Sequence, residues 1–212
     1  MTAPTQAIPG VILAGGLSSR MSEDKARIRL GGASLLDRAA RRLGPQVSAL
    51  AVNANGPVLF ADGGELPVFA DLDTARAGPL GGILAALDHA KRHHPGASHV
   101  ATVPIDSPFF PADLVARLAR AADSPDRIVT ARSAGGLHPV FALWPVALAG
   151  DLAAWLAGGG ALRVRSYLER HQARIVDFPS LDTPRGLFDP FFNINTPDDL
   201  AAAENWLWIL ER

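Results

Sequence analysis

The chain has 212 residues, 48% apolar and 19% charged, enough for one substantial packed core and too apolar for wholesale disorder. Its formal net charge of -1 argues against a duplex nucleic-acid binder, which needs a basic excess to displace phosphate counterions. The absence of cysteine excludes disulfides, thiolate nucleophiles, iron–sulfur clusters and Cys-based zinc sites.

No basic region leads a long apolar stretch at the N-terminus, and no window reaches about 18 consecutive apolar residues. Neither a signal peptide nor a membrane span is therefore expected, and the chain reads as cytoplasmic. Val11-Ile12-Leu13 running into Gly15-Gly16 predicts a buried parallel strand that feeds a loop. Ser34 caps a helix whose apolar positions are Leu35, Leu36, Ala39, Ala40 and Leu43, stopped by Gly44-Pro45. Strands are expected at Val47–Asn53 and Pro67–Ala70, then a helix from Gly78 to Lys91 with a solvated end at His93-His94.

A strand around Val100–Val103 runs into Pro104-Ile105-Asp106-Ser107-Pro108. Next come a helix from Asp113 to Ala122, strands at Arg127–Ala131 and Val140–Leu143, and helices at Val146–Leu156 and Leu162–His171. Ile175–Phe178 is strand-like, and Thr196, with Asp199 as capping-box acid, starts a last helix at Pro197–Leu210. Strands alternating with helices imply an α/β fold, a doubly wound, mostly parallel sheet in three layers with ligands at the strands' carboxyl ends. The chain reads as one domain, residues 1–212.

The first strand ends in LAGGLSSRMSEDK, Leu13 to Lys25. Gly15 and Gly16 let backbone approach a phosphate, and Arg20 and Lys25 add two cations to the same loop. This is neither a Rossmann fingerprint nor a P-loop, since Ala26 follows Lys25. Asp106, a stiff strand-end carboxylate between two prolines, is the candidate ligand for a hard divalent cation. Gly78-Pro79-Leu80-Gly81-Gly82 opens a helix, so its free N–H groups suit an anion or a closely approaching base, though a plain tight connection has the same spelling. Asn53 also reads as a turn residue, and Asp71 as an ordinary loop acid. Phe191, Phe192, Trp206 and Trp208 read as core, and His138 as a packed or hydrogen-bonded histidine.

With its LAGG, RM and DK, VNAN at Val52–Asn55, GPLGG at Gly78–Gly82, VPID ending at Asp106, HPVFAL at His138–Leu143 and NINTPDDL at Asn193–Leu200, the sequence resembles the molybdenum cofactor guanylyltransferases. These belong to the wider nucleotidyltransferase superfamily, so the resemblance implies its Rossmann-like fold. It also implies magnesium-dependent transfer of GMP from GTP to the phosphate of molybdopterin, with Arg20, Lys25 and Asp106 catalytic and Asp106 on the metal. GTP would meet Leu13, Ala14, Gly15, Gly16, Lys25, Asn53, Asp71, Gly78, Pro79, Leu80 and Asp106.

Residues to about 110 would form the nucleotide-binding part and the rest the acceptor side, where Gly82, Asn193 and Asn195 are candidates, a turn network being the other reading of the two asparagines. The resemblance also implies a monomer in transient contact with molybdoenzymes or other cofactor-synthesis proteins. Transfer of CMP to the same pterin, transfer of a nucleotide to a sugar phosphate, and a non-catalytic nucleotide-binding paralogue stay open. Ser22 stands where the family commonly has glycine, and Ile105 where it often has cysteine. A phosphate monoester is already largely dianionic at neutral pH, so no catalytic triad or general base is expected.

Overall fold

β1 (Gly10–Leu13) is buried along its whole length, as an apolar run without a polar face requires of a strand covered on both sides. The computed structural model describes residues 7–15, 28–58, 65–72 and 78–210. After β1 come a small hairpin of β2 (Arg29–Leu30) and β3 (Ala33–Ser34), α1 (Leu35–Leu43), β4 (Leu50–Asn53), β5 (Val68–Phe69) and α2 (Pro79–His93). Then follow β6 (His99–Pro104), α3 (Leu114–Ala121), β7 (Val129–Ser133), β8 (Gly136–Pro145), α4 (Ala149–Ala157) and α5 (Val164–Arg170). β9 (Arg174–Asp177), a second small hairpin of β10 (Leu181–Thr183) and β11 (Gly186–Phe188), and α6 (Pro197–Leu210) complete the order.

Seven strands form the main sheet in the order β5-β4-β1-β6-β8-β7-β9. β8 runs antiparallel to both of its neighbours and the other pairings are parallel, so the sheet is mixed and mostly parallel. Successive strand residues face opposite sides, and β1 thereby divides the core. Ile12 joins Leu36, Val52, Val103, Phe110 and Leu207 on one face. Val11 and Leu13 join Leu80, Ile83, Leu87, Trp144 and Tyr167 on the other. α1, α3 and α6 cover the first face and α2, α4 and α5 the second, which gives the three layers of an α/β fold. Each large aliphatic side chain buried this way stabilises the fold by roughly 1.5–3 kcal/mol.

Both helix starts read from sequence are present. Ser34 Oγ accepts from Asp37 N at 3.0 Å while the Asp37 carboxylate reaches back to Ser34, a full capping box. Thr196 Oγ1 accepts from Asp199 N at 3.1 Å, and Asp199 Oδ2 accepts from Thr196 N at 2.9 Å. The strand expected from Val47 begins only at Leu50, because Gly44–Gln46 tightens into a 3-10 turn first. The helix expected from Val146 likewise opens with a 3-10 turn, Val146–Leu148, before α4. Trp208 departs from its reading as core, with 56% of its surface exposed, while Trp206 packs against the core and Phe188. Residues two apart on a helix lie about 200° apart, so one core face cannot take both.

The strand expected at Val140–Leu143 is in fact ten residues long and pairs with β7 through a tight turn. Its register breaks between Thr130, opposite Ala142, and Ala131, opposite His138. Pro139, Val140 and Phe141 therefore bulge out of the ladder, as a proline without an N–H favours. Two buried threonines bond carbonyls at and beside the bulge. Thr102 Oγ1 donates to Val140 O at 2.6 Å and accepts from Trp144 Nε1 at 2.8 Å, and Thr130 Oγ1 reaches His138 O at 3.2 Å.

Candidate active site

Three parallel strands stop level with one another. Leu13 pairs with Asn53 on one side and Pro104 on the other. The ladder runs one step further, with Ala14 N donating to Asn53 O at 2.9 Å and Ile105 N to Leu13 O at 3.2 Å. Leu13, Ala14, Gly15, Asn53 and the Pro104–Ser107 segment consequently open on one cavity of about 650 Å³. Pro79 and Gly82 of α2 form part of its lining. Past β6, the bulged segment of β8 and residues from Asp189 to Asn193 supply another wall.

Asn53 is buried, and both protons of its amide are engaged within the protein: Nδ2 donates to Asp71 Oδ1 at 2.9 Å and to Phe69 O at 3.3 Å. Asp71 Oδ2 in turn accepts from Asn55 Nδ2 at 2.9 Å, and Asp71 N donates to Asn55 Oδ1 at 2.8 Å. Asp71 is not among the residues lining the cavity; it stands behind Asn53 and fixes which way the amide points. What Asn53 has left is Oδ1, an acceptor for an N–H of a bound base. Gly82 makes room for that oxygen, since a Cβ there would lie 2.6 Å from Asn53 Oδ1. At Gly15, by contrast, a Cβ would make only ordinary contacts, 3.5 Å to Asn55 Nδ2 and 3.6 Å to Asn53 Oδ1. Among the described residues, none demands a glycine at Gly15.

Asp106 lines the cavity with its Oδ1 buried, and its backbone carbonyl accepts from Ile194 N at 2.8 Å, which ties the 189–195 segment to the end of β6. No group of three or more His, Cys, Asp or Glu side chains converges on a metal position among the described residues. One hard carboxylate does fit an ion that takes its other ligands from phosphates and water, as magnesium and manganese do. Among the described lining residues the charged side chains are Asp106 and Asp189. The cations expected at Arg20 and Lys25, together with Gly16 and Ser22, lie outside the described residues.

Gly78 and Leu80 do not line the cavity. Gly78 is the N-cap of α2 with φ of 57°, a conformation side chains rarely adopt, and the Leu80 side chain is fully buried. Asn193 reaches the cavity, whereas Asn195 lies in the α6 cap, its N donating to Asp199 Oδ2 at 2.9 Å. Ile194 between them is buried. His138 is packed and hydrogen-bonded, as read from sequence, but it also faces the cavity, and so do Phe191 and Phe192. Burial lowers the His138 pKa below its ordinary value and so favours the neutral ring, with Asp189 acting the other way. Sequence reasoning missed the Leu137–Phe141 wall and Asp189. The signal available was Pro139 within a strand pattern, which marks a bulge.

Residues 10–175 match the family model of the MobA-like NTP transferase domain. The chain belongs to this family. A relative from Rhizobium meliloti (strain 1021), a molybdenum cofactor guanylyltransferase, is 53% identical over 203 residues, covering 96% of this chain and 93% of its own. The crystal structure of a molybdopterin-guanine dinucleotide biosynthesis protein A from Archaeoglobus fulgidus superposes with a TM-score of 0.70 at 23% identity, over 95% of this chain and 99% of that one. A Mycobacterium tuberculosis protein of the same fold, solved in complex with manganese, gives a TM-score of 0.65 at 20% identity over 94% and 98% of the two chains. In this MobA-like domain the Asn53, Gly82 and Asp106 positions converge on the cavity, and no described helix is long and apolar enough to cross a membrane.

Proposed function

We propose that this nucleotidyltransferase transfers GMP from GTP to the terminal phosphate of molybdopterin, releasing pyrophosphate in molybdenum cofactor biosynthesis. The observation that carries the reading is the level ending of β1, β4 and β6, which brings the Gly15 backbone, the Asn53 acceptor and the Asp106 carboxylate to one cavity. Its ligand-side chemistry suits a purine polyphosphate. Relatives named for this activity, at about half identity over nearly their full length, support the same substrates.

In the reaction an acceptor phosphate oxygen bonds to the α-phosphorus as the bond from that phosphorus to the pyrophosphate oxygen breaks. The nucleophile is already ionised, so the protein has to align the reactants and offset anionic repulsion. Asp106 is the residue that would hold the divalent cation, magnesium in this reading, which supplies charge neutralisation on the nucleotide phosphates. Lys25 stabilises the phosphoryl group in transfer, Arg20 holds the departing pyrophosphate, and Gly15 and Gly16 offer backbone N–H groups. Asn53, set by Asp71, accepts from the guanine, while Gly78, Pro79 and Leu80 shape the loop and first turn beside it. Gly82, an acceptor-side candidate by sequence, instead makes room for the Asn53 acceptor; Asn193 falls to the acceptor side, and Asn195 serves it only indirectly, from the α6 cap.

The whole chain acts as one domain, residues to about 110 serving the nucleotide and the remainder the acceptor, and works as a cytoplasmic monomer. Lys25→Ala is expected to cost roughly 3 kcal/mol, about 10²–10³ in rate. Pyrophosphate release from each of the four nucleoside triphosphates, with magnesium and molybdopterin present, tests the reading. GTP alone should support turnover, and equal release from CTP would overturn the base assignment.

A further inference from the structure

A hydrogen-bond chain behind the β8 wall is not used in the reaction above. Asp189 Oδ2 accepts from Ser133 Oγ at 2.6 Å and from Gly135 N at 3.0 Å, while Oδ1 accepts from Phe191 N at 2.9 Å. Gly135 allows this approach, since a Cβ there would lie 2.6 Å from Asp189 Oδ2. Ser133 Oγ also lies 2.7 Å from His138 Nε2. A hydroxyl has one proton, and a carboxylate only accepts, so that proton goes to Asp189 and Ser133 must accept from His138. His138 therefore carries a proton on Nε2, and in the neutral ring Nδ1 is left as a bare acceptor.

The rest of the ring is equally constrained. One face stacks on Phe191 at 4.4 Å and 14°, and Phe141 meets it edge-on at 6.2 Å. Nδ1 has no hydrogen-bond partner among the described residues, and His138 lines the cavity. This part of the wall is aromatic, and its charged side chain is a carboxylate, the wrong sign for a phosphate. It suits a flat, neutral heterocycle with N–H donors.

We propose that His138 Nδ1 reads an N–H donor on the planar heterocycle of the acceptor substrate, and that Ser133 and Asp189 are positioning residues that hold the reading tautomer. The proposal rests on GMP transfer to a pterin. Guanine and pterin share an aminopyrimidinone ring with the same donor edge. Among the described lining residues, Asn53 Oδ1 beside Gly82 and His138 Nδ1 beyond β6 are uncharged side-chain acceptors whose orientation is set by hydrogen bonds. Two similar rings then take two similar readers. Asn53 serves the nucleotide, close to Gly15 at the end of β1, and His138 serves the acceptor.

Nitrogen-15 NMR of the intact protein, with and without 6-hydroxymethylpterin or GTP as probe, reports the imidazole tautomer directly. His138 should be in the Nε2–H form, and the pterin should shift its Nδ1 resonance while GTP leaves it in place. In steady-state assays His138→Phe, which keeps the stack, should raise KM for molybdopterin about 10-fold, with KM for GTP unchanged. Ser133→Ala should mix the tautomers and raise the same KM, and Ser133→Thr should restore both. An Nδ1–H tautomer in the parent protein, a shift caused by GTP instead of pterin, or a KM change confined to GTP would each overturn the proposal. Absence of turnover with molybdopterin would instead defeat the GMP-transfer reading, while the tautomer and pterin-binding measurements still decide the role of His138.

Discussion

Along β1, β4 and β6 the cavity-facing groups sit where parallel strands stop, and backbone pairing alone sets them level, with Leu13 opposite both Asn53 and Pro104. Along β8 they sit inside a strand, at a register break that turns His138 to Phe141 toward the same cavity. The first side needs little more than strand length, with Gly82 leaving room for the Asn53 oxygen and Asp71 holding its amide. The second needs side-chain hydroxyls, because a bulge takes carbonyls out of the strand ladder: Thr102 and Thr130 donate to carbonyls of β8, and Ser133 orients the imidazole. A strand end is thus a site that the fold itself provides, while a bulge is one that side chains must maintain.

Changes to the two sides should accordingly fail in different ways. The largest effect is expected at a strand end. Asp106→Ala should lower kcat by about 10²–10³ and flatten its magnesium dependence, while far-UV circular dichroism stays that of the parent. An unchanged magnesium titration would remove Asp106 from the metal site. On the bulged side, the cost should fall on stability. Thr102→Val strands the Val140 carbonyl and the Trp144 indole N–H together, so urea denaturation should show a loss of about 2–4 kcal/mol, with Thr102→Ser losing far less.

Acid should weaken the layer beneath the parallel side. His89 on α2 stacks on Phe69 at 4.4 Å, and burial, with help from His93, His94 and Arg92, lowers its pKa from 6.5 to about 4. The unfolded chain binds this proton first, so the stabilisation is complete above pH 6.5 and is lost as pH falls toward 4. Denaturation midpoints measured across that interval should fall with pH, and His89→Phe should flatten the slope. The smallest effect is expected at Gly82→Ala, where a Cβ meets Asn53 Oδ1. KM for GTP should rise about 5- to 10-fold with little change in melting temperature, and an unchanged KM would detach Asn53 from nucleotide binding.

Local pattern was enough for much of this molecule. A run of three apolar residues ending in glycines specified β1 and its loop, helical spacing with Ser34 and Thr196 specified α1 and α6, and the alternation of strand and helix specified three layers. Gly15, Asn53 and Asp106 were readable as a site because each stands directly after or at the end of a strand. The family resemblance singled out Asp71, but its position behind Asn53 depends on a contact 18 residues away. Asp189 was not readable at all: its partner Ser133 lies 56 residues earlier, and neither residue type is distinctive alone. Periodicity and capping act within a few residues, so the sequence carries them openly. The hydrogen-bond chain to His138 and the bulge that presents it exist only once β7, β8 and the 189–193 segment are packed together, and tertiary structure alone decides them.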